Sequence, residues 1–240
     1  GVITMSMGTS GTLYGYSEKP IIDPEGILAA FCSSSGGWLP LLCTMNCTVA
    51  TELTRDLFGL SVKEIDVAGA QAPAGAEGVT MLPFFNGERV PNLPKGKASI
   101  MGLNATNYTK ENIARASLES AIFGMKIGLD RFRELGFDVR QIRMIGGGAK
   151  SPIWRQMAAD VLGVPVLIPK QAEAAALGGA LQALWMLEGG GETKLSELVE
   201  THVGIDERAS CEPDTALRGA YDKAYSSYKN WLDVLAPQYQ

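Results

Sequence analysis

Alternating apolar and polar residues near the start of the chain predict a β-hairpin. Val2–Met7 and Thr12–Tyr16 both carry the two-residue period of a strand, and Gly8–Gly11 (GTSG) between them is typical of a tight turn. Ile27–Ser33 and Trp38–Cys43 continue the strand pattern and are separated by serines and glycines. The start of the chain is therefore predicted to form a sheet.

Helical spacing dominates the later part of the chain. Thr109 is a suitable N-cap, and apolar or small residues then recur at three- and four-residue intervals to about Leu135, which predicts one long, closely packed helix. Further helices are predicted over Asn46–Phe58, within Ser61–Gly78, over Glu173–Leu187 up to Gly189–Gly191, and over Asp214–Leu235; further strands are predicted over Val79–Phe85 and Val164–Ile168.

Early strands followed by alternating strands and helices indicate an α/β fold, in which a mixed sheet carries helices on both faces. The chain has 240 residues, of which 46% are hydrophobic, and its mean hydropathy is +0.05. These values are typical of a globular protein with a sizeable core, organised as one large domain or two small ones.

The stretch Ile142–Lys150 (IRMIGGGAK) is the main candidate for ligand chemistry. An apolar strand ends in three consecutive glycines, and a helical pattern begins at once with Pro152 in its first turn. Glycines without Cβ atoms let a flat ligand or a phosphate approach the backbone, and the N–H groups of the next helix add partial positive charge. A plain turn between a strand and a helix is the alternative.

The turn Gly8–Gly11 is a second candidate. Small hydroxyl residues between glycines offer backbone N–H and side-chain donors in a concavity that suits a phosphate oxygen. Taken alone, the pattern favours an ordinary hairpin turn over a phosphate site. The segment Asn86–Lys97 (NGERVPNLPKGK) is similarly open: it is either an exposed loop, or a loop whose Glu88 and Arg89 face a ligand cleft beside Phe84 and Phe85.

The charge of the chain disfavours some classes of binding partner. The net charge of −5 and the pI near 5.1 disfavour nucleic acids and anionic membranes as partners and favour small molecules. No apolar run reaches the roughly 18 residues of a membrane span, and no basic segment of a signal peptide precedes the first apolar residues. A cytoplasmic protein with no membrane association is expected.

The cysteines and the histidine exclude several kinds of site. Cys43 and Cys47 are the only cysteines close enough to share a helix face, and reduced, packed thiols are a better interpretation of the four cysteines than a metal site. His202 is the only histidine, so neither a Ser-His-Asp triad nor a multi-histidine zinc site is expected. No catalytic or metal-binding residue is assigned to this chain.

Several of these segments together resemble one known family. Ala98–Leu103, eight intervening residues and Asn112–Glu119 fit a long signature of the FGGY carbohydrate kinases. The GTSG turn, the GGGAKSPIWRQMAADVLGVPV stretch from Gly146, and EAAALGGAL from Glu173 follow in family order. With the GERVP segment, which is similar to the xylulokinase branch, the resemblance extends to about Leu187.

The resemblance implies an actin-like, ribonuclease-H-like ATPase domain that binds ATP and Mg²⁺ and, together with a second domain, transfers a phosphoryl group to a sugar hydroxyl. D-xylulose is the first choice of sugar, ahead of ribulose, gluconate or glycerol. The resemblance assigns phosphate contacts to Gly8, Thr9, Ser10 and Gly11 and adenosine contacts to Gly146, Gly147, Gly148, Ala149, Lys150 and Ser151. ATP, ADP and a small sugar are the implied partners, and a homodimer is an open option.

Two departures from the family pattern qualify this assignment. Ser151 stands where glycerol kinases often carry Asn, and Thr48 and Glu52 stand where they carry Gly and Gln, so Thr48 and Glu52 are left out of the predicted site. The family's catalytic aspartate belongs to a GGGDN-like stretch expected upstream of Gly1. We therefore expect residues 1–240 to be a C-terminal nucleotide-binding domain, with a core over about 1–190 and a polar loop and closing helix over 191–240.

The expected sugar-binding N-terminal domain is not on this chain, so the chain alone is expected to be inactive. A non-catalytic nucleotide-binding module of the actin superfamily, which would act by conformational coupling, is the second hypothesis. An α/β domain without any ligand is the third.

Overall fold

The computed structural model describes residues 1–190 and 195–239. A seven-stranded sheet forms the centre of the molecule, with strand order β3-β4-β2-β1-β7-β8-β9. Two further strands, β5 and β6, pair with each other in a small separate sheet. The strands are β1 Val2–Met7, β2 Gly11–Gly15, β3 Ala29–Cys32, β4 Trp38–Thr44, β5 Thr80–Leu82, β6 Ser99–Met101, β7 Gln141–Ile145, β8 Val166–Pro169 and β9 Ile205–Cys211.

Helices pack on both faces of the large sheet. They are α1 Thr48–Leu57, α2 Val62–Gln71, α3 Lys110–Glu134, α4 Pro152–Leu162, α5 Ala174–Leu187, α6 Leu195–His202 and α7 Arg218–Leu235. Strands β3, β4, β2 and β1 pair with one another in antiparallel order, β1, β7 and β8 pair in parallel, and β9 is antiparallel to β8. The sheet is therefore mixed, and the predicted α/β class is confirmed.

The predicted hairpin is present, and its alternation sets the two faces of the sheet. Ile3, Met5 and Met7 of β1 are fully buried and join the core with Leu13 and Met144. Thr4 and Arg143 have the opposite parity and line a second, smaller cavity beside α5 and α6. One face thus packs against α3, α4 and α7, and the other lies under α5 and α6.

Helix α3 is the centre of the core. The Thr109 hydroxyl accepts a hydrogen bond from the Asn112 N–H at 3.2 Å, which confirms the predicted N-cap. A Cβ atom on Gly128 would lie 2.6 Å from Leu42, so the helix and the sheet approach closely at that small residue. Burial extends around almost the whole helix, since Arg115 and Glu119 on its polar side are also buried.

The predicted closing helix is present as α7, but the predicted polar loop before it contains a helix and a strand. α6 lies over the sheet, β9 pairs with β8, and α7 inserts Tyr221, Tyr225 and Tyr228 into the main core. The aromatic spacing of α7 is thus a packing pattern, as the sequence suggests. Gly191 of the predicted glycine terminator lies outside the described residues, and the strand predicted over Val79–Phe85 is shortened to Thr80–Leu82.

Helix α5 is present as predicted, but its small-residue face is not closely packed. Only Leu181 of this helix is buried, and Leu187 is 85% exposed. A Cβ atom added to Gly178 or Gly179 would meet no heavy atom within 4 Å. Helices in the described part of the chain are all too short or too polar to cross a membrane.

Candidate functional site

A cavity of about 890 Å³ opens at one edge of the large sheet. Strands β1 and β7 are parallel, so the turn after β1 and the loop after β7 leave the sheet at the same edge. Crevices outside the carboxyl ends of parallel strands are common ligand sites in α/β folds. The two predicted glycine loops are therefore brought together in space, although about 130 residues separate them in the chain.

The first wall of the cavity is the turn Gly8–Gly11, which is fixed to the start of α1. The Cys47 N–H donates to the Thr9 carbonyl at 2.9 Å, and the Thr48 N–H donates to the Gly8 carbonyl at 3.0 Å. Within the described residues, the backbone N–H groups of Thr9 and Ser10 have no protein acceptor, and both residues are exposed. Free, oriented N–H groups beside two hydroxyls suit an anionic oxygen.

The second wall is the loop after β7, where two glycines are required by packing. Gly146 has φ 89°, and a Cβ atom there would lie 2.7 Å from the Met7 carbonyl oxygen. A Cβ atom on Gly148 would lie 2.8 Å from Met7 and 2.9 Å from Trp154. The loop can therefore lie against β1 only with glycine at these two positions.

Of the ten predicted contact residues, six line the cavity: Gly8, Thr9, Gly147, Gly148, Lys150 and Ser151. The other four lie beside it. Gly11 faces Met125 in the core, Ala149 is buried, and Gly146 and Ser10 are exposed outside the lining. Ser151 also caps α4, because its hydroxyl accepts a hydrogen bond from the Trp154 N–H at 3.3 Å.

The third wall comes from α1 and α2, and the sequence prediction missed it. Thr48 and Glu52, which were left out of the predicted site, both line the cavity, and the Thr48 hydroxyl donates to Glu52 at 2.8 Å. Thr48, Thr51, Glu52 and Arg55 form a polar stripe at helical spacing, and this stripe is the signal that identifies them. α2 contributes Val62, Lys63, Ile65, Asp66 and Val67.

The cavity is lined by both apolar and charged side chains. Val62, Ile65, Leu118 and Trp154 make part of the cavity apolar, while Arg55, Lys63 and Lys150 bring positive charge against the carboxylates of Glu52 and Asp66. Burial raises the pKa of Asp66 above its usual range, and a hydrogen bond with Ser151 opposes that rise. A ligand with a flat apolar part and an anionic tail matches these walls.

The described residues contain no group of three or more His, Cys, Asp or Glu side chains that could hold a metal ion.

The cysteines are free thiols. Burial, together with the nearby Glu88 carboxylate, raises the pKa of Cys47 to about 12, so this thiol stays protonated beneath the turn.

The segment Asn86–Lys97 is only partly the exposed loop of the first sequence interpretation, because Arg89 and Lys95 are exposed while other residues of the segment are buried. The Glu88 side chain is buried, at 4% exposure, and Leu93 and Gly96 are also buried. Glu88 N–H and carbonyl exchange hydrogen bonds with Leu93 at 2.8 and 3.0 Å, which closes the segment into a compact loop.

Comparison with known proteins identifies the family. Residues 3–187 match the FGGY family of carbohydrate kinases, C-terminal domain. The chain is 49% identical to the xylulose kinase of Haemophilus influenzae over 235 residues, which cover 98% of this chain and 47% of that protein. The chain spans about half the length of the curated relatives it matches.

Solved structures of the family share the fold. The xylulose kinase from Bifidobacterium adolescentis superposes with a TM-score of 0.77 at 35% sequence identity, over 93% of this chain and 43% of that one. The xyloylose kinase from Brucella ovis gives a TM-score of 0.89 at 27% identity, over 99% of this chain and 48% of that one. The predicted actin-like ATPase fold is confirmed, and the chain belongs to the FGGY family of carbohydrate kinases, as a C-terminal domain of that family.

Proposed function

We propose that this chain is the nucleotide-binding half of an ATP-dependent kinase that phosphorylates D-xylulose to D-xylulose 5-phosphate. The cavity that joins the two glycine loops is the observation that carries the proposal, because it offers both an apolar slot and an anion-binding turn. The 49% identity with a xylulose kinase favours the ketopentose over gluconate, ribulose or glycerol.

In this proposal adenosine lies along Gly147, Gly148, Lys150 and Ser151, and the phosphates extend toward Gly8–Gly11. The apolar side chains of α2 and Trp154 cover the base, and the free N–H groups of Thr9 and Ser10 contact phosphate oxygens. Arg55, Lys63 and Lys150 offset the negative charge of the polyphosphate. Thr48 and Glu52 join the contact set because they line the same cavity.

Mg²⁺ is proposed to bind mainly through the phosphates, since the metal commonly uses one or two carboxylates together with phosphate oxygens. When bound, ATP would supply the phosphoryl group and Mg²⁺ would neutralise the charge that develops during transfer. This chain orients the nucleotide, and its backbone donors hold the phosphates for in-line attack by the sugar hydroxyl. The carboxylate that accepts the hydroxyl proton is expected on the other half of the kinase. Closure of the two halves would exclude water.

The full-length kinase that contains this chain tests the proposal. We expect ATP-dependent phosphorylation of D-xylulose with a kcat/KM well above that for L-xylulose, D-ribulose, gluconate or glycerol. A different preferred sugar would retain the kinase assignment and replace the substrate. Nucleotide binding without turnover of any sugar would instead favour the non-catalytic module.

The proposed use of ATP places this kinase in the cytoplasm. A homodimer stays a prediction, which light-scattering measurements of the full-length kinase would check.

A further inference from the structure

The GERVP segment contains a buried carboxylate that ties two loops together. Glu88 accepts hydrogen bonds from the backbone N–H groups of Met45 and Arg89, at 2.6 and 2.7 Å, through one oxygen. Its other oxygen accepts from the Asn46 backbone and side-chain nitrogens, at 3.3 and 3.0 Å. Four donors on one buried carboxylate fix the position of the segment relative to the β4–α1 connection.

The same connection holds the proposed phosphate turn. Cys47 and Thr48, which follow Asn46 directly, donate their N–H groups to Thr9 and Gly8. The backbone of Arg89 is therefore linked to Gly8–Gly11 through the Glu88 carboxylate and the short stretch Met45–Thr48. Its place beside the turn is built into the fold rather than left to a mobile loop.

The Arg89 guanidinium itself has no strong partner. It is exposed, and its two contacts are the Cys43 sulfur at 2.9 Å and the Met45 sulfur at 3.7 Å. In residues 1–190 and 195–239, no carboxylate forms an ion pair with it, in contrast to Arg115 and Arg131. Sulfur atoms are weak acceptors, so these two contacts leave the guanidinium available to an anion.

The sheet register locates this cation. Cys43 pairs with Thr12, which directly follows the turn Gly8–Gly11. Cys43 and Thr12 lie on the face opposite to Leu42 and Thr44, which point to the α3 core. The large cavity lies on the α3 side, so the turn separates the cavity from Arg89.

We propose that Arg89 binds the phosphoryl group during its transfer and remains in contact with it on the sugar phosphate product. The inference rests on the proposed function: with adenine in the large cavity, the sugar acceptor lies on the opposite side of the turn Gly8–Gly11, where Arg89 lies. A guanidinium can contact two non-bridging phosphoryl oxygens at once and does not titrate near neutral pH.

In the step concerned, a sugar hydroxyl oxygen forms a bond to the γ-phosphorus while the bond from that phosphorus to the β–γ bridging oxygen breaks. ADP leaves with the bond electrons, and the hydroxyl proton passes to a carboxylate base expected on the other half of the kinase. Arg89 exchanges no proton, and it stabilises negative charge on the non-bridging oxygens of the phosphoryl group during its transfer. Glu88 is a positioning residue, since it acts through the backbone of Arg89.

The test uses the full-length kinase with Arg89→Ala and Arg89→Lys. Arg140→Ala is the matched control, because the Arg140 side chain is 74% exposed, pairs with the exposed Asp138 and precedes β7 at the opposite end of the strand. We expect Arg89→Ala to lower kcat by about 100-fold, as for removal of one transition-state donor. ADP affinity and the unfolding temperature should stay near wild type. Arg89→Lys should retain an intermediate kcat.

Chemical rescue separates a contact from a structural effect. Millimolar guanidinium should restore part of the kcat of Arg89→Ala and leave the Arg140→Ala control unchanged. A kcat of Arg89→Ala within threefold of wild type would overturn the proposal, and so would a loss of ADP binding and stability in parallel with activity. Absence of sugar turnover by the wild-type kinase would instead refute the proposed function, and with it this inference.

Discussion

At the residue scale, the three glycines of the loop after β7 have different roles. Gly146 and Gly148 have no room for a Cβ atom because β1 and Trp154 lie against them. Gly147 also lines the cavity, yet a Cβ atom there would meet only the Met7 carbonyl oxygen, at 3.9 Å. The middle glycine is therefore the position where a ligand contact can be blocked without disturbing the fold.

Gly147→Val should lower ADP affinity by at least roughly tenfold, which corresponds to about 1.4 kcal/mol, because the new side chain occupies the adenosine wall. Isothermal titration calorimetry checks this, with urea unfolding to confirm stability. Gly219→Val in α7 is the control, since it adds a side chain in open space at a residue outside the cavity lining. ADP affinity equal to wild type in Gly147→Val would refute the assigned contact.

A buried ion pair within α3 is joined to α7 by a hydrogen bond. Arg115 Nε lies 2.7 Å from a Glu119 oxygen, and the Arg115 guanidinium also donates to the Tyr221 hydroxyl. Burial raises the pKa of Glu119 above its usual range, while Arg115 and the Gly75 N–H lower it. Removal of Arg115 would leave a buried carboxylate with little compensation.

Arg115→Met should lower the free energy of unfolding by roughly 3–5 kcal/mol at neutral pH. Without Arg115 the folded-state pKa of Glu119 rises further above the unfolded value, so the carboxyl favours folding only at low pH and that contribution is lost as pH rises. The deficit should therefore be smaller at pH 5 than at pH 8 in urea unfolding. Asp222→Asn, which breaks the exposed pair with Arg218, should cost less than about 1 kcal/mol. A pH-independent deficit would contradict the argument.

At the element scale, α1 does more than the sequence suggests. Its first residues hold the turn Gly8–Gly11, and its polar stripe lines the cavity. The connection from β4 to α1 also receives the Glu88 carboxylate. One short stretch therefore couples the turn, the cavity and the GERVP segment.

The connection between β2 and β3 is tied to α3 by another carboxylate. The Asp23 side chain is fully buried and accepts from Arg131 Nε at 2.9 Å and from the Glu25 and Leu28 N–H groups. Burial acts to raise the pKa of Asp23, but these hydrogen bonds prevail and lower it to about 2. The charged form thus stabilises the fold.

Asp23→Asn should reduce the free energy of unfolding by about 1–2 kcal/mol at pH 7. Because the folded-state pKa lies below the unfolded value of about 3.9, the wild-type advantage is complete above that value and disappears as pH falls toward 2. Urea unfolding of both proteins between pH 7 and pH 3 measures it. Glu25→Gln, which alters an exposed partner of Arg131, should have a smaller effect. A difference that grows toward acid pH would disprove the linkage.

At the scale of the whole molecule, the cavity joins elements from both halves of the sequence, so nucleotide binding should stabilise the entire domain. ADP at about 100 times its dissociation constant adds roughly 2.7 kcal/mol to the free energy of unfolding. For a chain of this length we expect a rise of roughly 5–10 °C in the unfolding temperature. Differential scanning calorimetry of this chain and of the full-length kinase checks the shift, with Gly147→Val as the non-binding comparison. No shift in either would contradict the proposed nucleotide site.

Helix α5 exposes apolar side chains on the surface of the molecule. Met186 and Leu187 are 66% and 85% exposed, although the small residues of α5 predict close packing. Within the described part of the chain, no other element packs closely against Gly178 and Gly179 on this helix.

Local patterns in the sequence were sufficient for the family, the α/β class, the hairpin and both glycine loops. Strand alternation, the Thr109 cap and the glycine turns are encoded by neighbouring residues, and short-range sterics and hydrogen bonds determine them. The predicted site residues Gly8, Thr9, Gly147, Gly148, Lys150 and Ser151 border one cavity because the parallel pairing of β1 and β7 brings the two loops together.

Only the tertiary structure decided what surrounds those loops. Glu88 is buried because donors more than 40 positions earlier in the chain meet its carboxylate, and no local pattern encodes that meeting. Thr48 and Glu52 line the cavity because α1 docks on the turn, and α5 stays exposed because nothing in the described chain covers it. Periodicity specifies which face of an element is apolar, but long-range packing determines what lies against that face.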